Sequence, residues 1–158
     1  MHGPLWAMFF MTDNNKEILP GWTLKVDEVS AGAYRITLID QDGRKAEVVD
    51  DYNDLTLDKC TDYAFEIEKQ TTRTWNKFLY DFASLRLKSL KLHEKEYHDK
   101  DFGSWTIQTK DKRLLLDGRD GRLIYEEKQQ SDWVDKETIK DFRLVTLEQF
   151  KNFTNKIA

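Results

Sequence analysis

Apolar positions recur along this chain with two different periods. Trp22, Leu24 and Val26 alternate with Thr23, Lys25 and Asp27, and Tyr34, Ile36 and Leu38 alternate with Arg35, Thr37 and Ile39. Ala46 with Val48 (or Val49) marks a third run of the same kind. A period of two is the pattern of a half-buried strand. Ser30-Ala-Gly32 and Asp40-Gln-Asp-Gly43 separate the runs, with Gly43 placed to supply a positive φ. The first fifty residues therefore predict an antiparallel three-strand meander. Beyond Asp54 the period changes. Leu57, Cys60, Ala64, Ile67, Thr71, Trp75, Phe78, Phe82 and Leu85 follow one another at steps of three or four, which is one buried helix face. No glycine lies between Gly43 and Gly103. The pattern predicts one long helix over residues 54–92, with Thr71, Thr72 and Thr74 as the place for a bend, since β-branched side chains lose rotamer freedom in a helix.

The second half returns to strand-like patterning. His93 to Asp101 reads as an exposed polar linker. Trp105 and Ile107 alternate, Arg113 to Leu116 is a short apolar run, and Leu123 to Tyr125 follows Asp117-Gly-Arg-Asp-Gly-Arg122, which reads as a hairpin turn. Residues 132–141 are expected as a short helix or loop, and Phe142 to Val145 as a further strand. Thr146 with Gln149 three residues on is a capping box, opening a terminal helix with Leu147, Phe150, Phe153 or Thr154, and Ile157 on its apolar face. The fold class expected is α+β: antiparallel β-meanders packed on one long central helix, with a short C-terminal helix covering an edge. Residues 21–158 read as one domain or as two β-meander–helix halves, 21–95 and 102–158. The second alternative rests on echoes between Gly21-Trp-Thr-Leu24 and Ser104-Trp-Thr-Ile107, Asp42-Gly-Arg44 and Asp120-Gly-Arg122, and Leu55-Thr-Leu-Asp58 and Val145-Thr-Leu-Glu148. Turn and cap chemistry alone also generates such echoes.

Composition narrows the class. The chain has 158 residues and a mean hydropathy of −0.73, yet its 5 Trp, 6 Tyr and 9 Phe give it the means to bury a core. Its formal charge of −4 provides no general attraction for nucleic acid or an anionic membrane. Cys60 is the only cysteine, which excludes an internal disulfide and any zinc site built on several thiolates. It falls on the apolar helix face, where a thiol behaves as a small hydrophobe. Residues 1–20 read as a lead-in, and residues 1–10 as a misassigned start or an appended sequence. Their apolar run, Pro4 to Met11, has no Lys or Arg before it and no small-residue cleavage site after it. No stretch approaches the ~20 apolar residues of a membrane-spanning helix, and the expected compartment is the cytoplasm.

Charge is sorted along the central segment. Residues 40–68 hold ten acids against three bases, and residues 69–95 hold seven bases against two acids. The helix macrodipole accounts for acids near the start and bases near the end. It does not account for Asp62 and Glu66, which continue a row with Asp54 and Asp58 at four-residue steps. Each like-charge step costs roughly 0.2–0.5 kcal/mol, part of it offset by Lys59 and Lys69. A solvated face with locally balanced pairs explains such a row. So does a contact surface for a basic partner, with Tyr52 and Tyr63 as aromatic anchors.

Other constellations are weaker. His93 and His98 are five residues apart and miss the four-residue spacing of a zincin helix. With Asp101 they are the one candidate metal cluster, and a metal-dependent hydrolase centred there is the alternative from a different functional class. The 117–122 loop matches neither the calcium loop nor the phosphate loop. Arg86, Lys88, Lys91 and Lys95 with Tyr97 and Trp105 have acidic flanks, which argues against a nucleic-acid site. The expectation is a non-catalytic cytoplasmic protein, without cofactor, that binds a basic protein through Asp54, Asp58, Asp62, Glu66, Tyr52 and Tyr63. It would act as a neutraliser, of the kind an immunity protein provides, or as an adaptor. Self-association through the central helix, as in a homodimer, is the third alternative.

Overall fold

A computed structural model describes residues 18–70, 74–100 and 102–158. The lead-in up to residue 17, residues 71–73, and Asp101 lie outside the described residues. The fold is α+β, and the chain divides into two compact units, Met1–Gln70 and Thr71–Ala158.

The first unit is a three-strand meander crossed by a helix. Strands β1 (Thr23–Ser30), β2 (Ala33–Ile39) and β3 (Lys45–Asp50) pair antiparallel in the order β1-β2-β3. Val26 faces Ile36 and Leu24 faces Leu38, while Val48 and Ala46 face the same two residues from the other side. That register puts all six side chains on one buried face. Helix α1 (Asp54–Lys69) covers it with Cys60, Ala64 and Phe65. Its start is fixed by a capping box. The Asn53 side chain accepts from the Thr56 N–H at 3.0 Å, and the Thr56 hydroxyl accepts from the Asn53 N–H at 3.0 Å. Its end is fixed by the β2–β3 turn, where Gly43 adopts φ 83° as expected. There Asp40 accepts from the Arg44 N–H at 2.8 Å and pairs with the Arg44 guanidinium. The guanidinium in turn donates to Ile67 O and to Glu68.

The predicted long helix is two helices. Helix α1 ends at Lys69 and α2 (Trp75–Arg86) begins after the threonines, with the chain beyond Leu87 leaving helical geometry. Each segment has its own sheet to cover, and the cluster of β-branched residues falls at the division.

The second unit is a five-strand antiparallel meander with both of its helices on one face. Strands β4 (Glu94–His98), β5 (Ser104–Gln108), β6 (Lys112–Asp117), β7 (Arg122–Gln129) and β8 (Asp132–Ile139) lie in sequence order. Two expectations are corrected here: residues 94–98 are a strand rather than a polar linker, and 132–139 are a strand rather than a helix or loop. Both are edge strands with mostly polar side chains, so their hydrophobic alternation is faint and pairing to β5 and β7 decides their state. Residues 142–144 form a 3₁₀ turn, not the predicted strand. Trp105, Ile107, Leu114, Leu116, Leu123 and Tyr125 line the covered face. Against it lie Trp75, Phe78, Leu79 and Phe82 of α2, and Leu147, Phe150, Phe153, Thr154 and Ile157 of α3 (Leu147–Ile157). Phe82 and Phe150 stack at 5.6 Å, and Arg86 donates to Thr154 Oγ1 at 2.8 Å and Asn155 Oδ1 at 2.9 Å. The Thr146–Gln149 capping box is present. Helix α3 lies over the sheet rather than covering an edge, since it packs on β6, the central strand of the five.

The proposed echoes fall in β1 and β5, in the β2–β3 and β6–β7 turns, and at the starts of α1 and α3. In the second unit β8 stands between the third matching strand and the helix, and β4 precedes the first.

Candidate functional site

The outer face of α1 is solvent-exposed along its length. Asp54, Asp58, Asp62 and Glu66 are all exposed, as is Tyr63 at 43%. Four residues advance about 400° around a helix, so the row slants by about 40° per step rather than running straight. Asp54 therefore sits beside the buried face, and Asp62 and Glu66 sit mid-way across the exposed one. Leu55 lies with them, at steps of four, three and four through Lys59 and Asp62 to Glu66, and it is 80% exposed. Lys69 pairs with Glu66 at 2.9 Å. Tyr52 does not share the exposure of Tyr63. It is half-buried, with its ring 6.4 Å from that of Tyr34. The structure thus brings five of the six predicted contact residues to one open face and adds Leu55, an apolar residue at an exposed helix position that the sequence pattern left unassigned.

Behind this face the unit is tightly held. The Trp22 indole N–H donates to Glu68 at 3.1 Å, and the Arg44 guanidinium lies 5.7 Å from the Trp22 ring. Burial pushes the Glu68 carboxyl above its ordinary range, against the pull of Trp22 and Arg44. Cys60 points inward, with its thiol 3.2 Å from Ala46 O and 3.5 Å from Ile36 O. Burial pushes its pKa up to about 11, so it stays a protonated thiol.

The histidine cluster is divided by β4. Extended chain sends residues five apart to opposite faces, so His93 and His98 do not converge. His98 instead pairs with Glu96 at 3.0 Å, and the His93 N–H donates to Gln108 O at 2.9 Å. Asp101 lies outside the described residues. Among the described residues, no group of His, Cys, Asp and Glu is disposed to hold a metal ion.

On the face of the five-strand sheet opposite to α2 and α3, Arg113 and Glu126 face each other across β6 and β7. Arg113 Nε donates to Glu126 at 2.8 Å, and its guanidinium lies 4.4 Å from the Trp133 ring. Glu126 is only 7% exposed. Burial and a hydrogen bond with Asp135 raise its pKa, against the lowering effect of Arg113. No sequence periodicity marks this group, because it is assembled by strand register.

No helix among the described residues is long and apolar enough to cross a membrane. The sequence matches no family model, and comparison with characterised proteins and with solved structures finds no match.

Proposed function

We propose that this chain is a non-catalytic cytoplasmic binding protein whose contact surface is the outer face of α1, and that its partner is a basic protein. The observation that carries this reading is the exposure of Leu55 at 80% among Asp58, Asp62 and Glu66, with Tyr63 on the same open face. Leu55 and Tyr63 give this charged face apolar area, and a contact needs apolar area at its centre and charge at its rim. The carboxylates steer a basic partner and set its orientation, and Leu55 and Tyr63 supply the area that slows dissociation.

The test is affinity capture from native lysate with the wild type and the Asp58→Lys/Asp62→Lys/Glu66→Lys variant. A basic protein held by the wild type, released by moderate salt and lost from the variant supports the reading. Loss of that protein from a Leu55→Ser variant as well places the leucine in the contact. Retention of the same proteins by wild type and charge-reversed variant overturns it.

A further inference from the structure

Strand β8 is held to the five-strand sheet from one side only. It pairs with β7 alone, and none of its eight residues is buried. Two groups of side chains add to the backbone ladder. On the covered face Glu137 pairs with Lys156 of α3. On the opposite face Trp133 lies against Arg113, and Asp135 lies against Glu126. A β-bulge stands between the two. Tyr125 faces Glu137 and the next residue, Glu126, faces Asp135, so Lys136 has no place in the ladder. An unbroken ladder running on from Glu137 would set Lys136 opposite Glu126, a cation facing a carboxylate. The bulge puts a second carboxyl there instead. It also turns Trp133 to the same face, with its ring 4.4 Å from the Arg113 guanidinium and 5.8 Å from Lys128 Nζ.

The two carboxyls differ in exposure. Glu126 is 7% exposed and is bound by Arg113 through Nε at 2.8 Å and through Nη2, whereas Asp135 is exposed. Among the described residues, the charged groups facing Glu126 are Arg113 from β6 and Asp135 from β8. Lys128 stands two residues on along β7 against Trp133, Glu94 of β4 acts on the same Arg113, and the exposed Lys136 sits at the bulge. An ionised carboxylate only accepts hydrogen bonds. The bond between Glu126 and Asp135 therefore exists only while one of them holds a proton.

We propose that Glu126 and Asp135 form a proton-operated latch on the start of β8. With one proton between them they hold residues 132–135 against β7; without it they repel, and that segment opens while the Glu137–Lys156 pair keeps the rest of β8 in place. Opening lifts Trp133 from Arg113 and uncovers the backbone edge of β7 at residues 126–129. Burial, and then the bond to Asp135, hold the Glu126 carboxyl above its ordinary range against the pull of Arg113. In the opened segment it meets water and returns to that range. The proton thus favours the closed form, and closure weakens as pH rises through the raised value. The latch is independent of the α1 contact surface.

Amide exchange of the full chain, followed residue by residue by NMR from about pH 5 to about pH 8, tests it. Protection factors, which divide out the intrinsic pH dependence of exchange, should fall at least about tenfold over residues 132–135 across that range. At every pH they should stay below that of Leu114, on the central strand, which opens only with the whole unit. In Asp135→Asn the new amide donates to Glu126 with no shared proton, so protection over 132–135 should be level with pH. Asp135 is exposed, so this variant keeps its fold. Glu126→Gln, whose amide donates to Asp135, should level it as well. In the wild type the Glu126 and Asp135 carboxyl carbons should titrate with one common midpoint. Level protection over 132–135 in the wild type, a fall that Asp135→Asn retains, protection there equal to that of Leu114, or a Glu126 carbon that titrates without Asp135 overturns the proposal.

Discussion

Gly118→Ala probes how firmly the loop around Phe102, a residue 62% exposed at φ 61°, is held. Gly118 is not among the positive-φ glycines, so alanine meets no backbone penalty there. In the unfolded chain the added methyl favours folding by about 0.4–1 kcal/mol. The opposing term is steric. The new Cβ would overlap Phe102 O, approach the Phe102 carbonyl carbon to 2.8 Å and the Ser104 nitrogen to 3.2 Å. These are backbone atoms and cannot swing aside like a side-chain tip. Overpacking of this kind costs about 1–3 kcal/mol. If the loop retreats, the Asn76 bond to Phe102 O is weakened too, at about 1 kcal/mol. The steric and hydrogen-bond terms exceed the unfolded-state gain, so the net expectation is a loss of about 1–3 kcal/mol. For a unit of this size each kcal/mol lowers the melting temperature by about 4–8 °C. Urea unfolding followed by tryptophan fluorescence measures the loss, and faster amide exchange at Gly103 and Ser104 should localise it. Gly32→Ala is the contrast: its φ is +78° with nothing within 4 Å of a Cβ, so its cost is conformational alone, about 1–2 kcal/mol. A Gly118→Ala protein as stable as the wild type, with exchange at 103–104 unchanged, would show that Gly118 does not pack on the Phe102 backbone.

Two further outcomes follow from titrating groups. Glu126, raised by burial, binds its proton more tightly when folded, so its contribution falls as pH rises from the ordinary carboxylate range through its folded pKa. Asp117 is the opposite case: burial raises it, but the Asp120 and Arg119 N–H groups and Arg122 outweigh that and lower it. Its contribution is present above the ordinary pKa and lost as pH falls through the depressed one. Glu126→Gln should therefore remove a loss of stability on going from mildly acidic to neutral pH, and Asp117→Asn should remove a loss at acidic pH. Denaturation midpoints across a pH series check both, and slopes unchanged in either variant refute the assignment. Cys60, with its pKa pushed from 9.0 to about 11 and no exposure, should react with an aromatic disulfide reagent more than about 100-fold slower in the folded chain than in urea. A native rate near that of a free thiol would contradict the burial of α1 on its sheet.

Elements with a strong period were legible in the sequence, and those held by pairing alone were not. β1, β2 and β3 each bury alternate positions against α1, so their pattern is written in Leu24, Val26, Ile36, Leu38, Ala46 and Val48. The Thr146–Gln149 capping box announced α3 because both reciprocal bonds are local to the sequence. β4 and β8 gave no such pattern, since each has one neighbour strand and few buried side chains. Their register is imposed by β5 and β7, which a single-sequence period does not contain. The division between α1 and α2 was marked by its threonines but not decided by them. The apolar recurrence continues across it from Ile67 through Thr71 to Trp75, and only the existence of two separate sheets explains why one face serves two cores.

The candidate surfaces follow the same division. The acidic row on α1 could be read directly, because i, i+4 spacing is a local property of a helix. Leu55 was hidden by its neighbour Leu57, since at a helix start either leucine can begin the buried face and only packing chooses between them. The exposure of Phe102, at 62%, and of Leu144, at 72%, was hidden more deeply. One stands between the end of the predicted polar linker at Asp101 and Gly103, and the other lies within Phe142 to Val145, which reads as a strand. Their exposure results from contacts remote in sequence: Asn76 reaching 26 residues to Phe102, and Trp75 reaching 67 residues to Phe142. Those bonds tie the loops around Phe102 and Phe142 to the first turn of α2 and keep a phenylalanine in a left-handed backbone and out of the core. Apolar patterning predicts where side chains go when burial is the only consideration. Leu55, Phe102 and Leu144 depart from it, the first among the carboxylates of α1 and the two loop residues where the surrounding hydrogen bonds oppose their retreat.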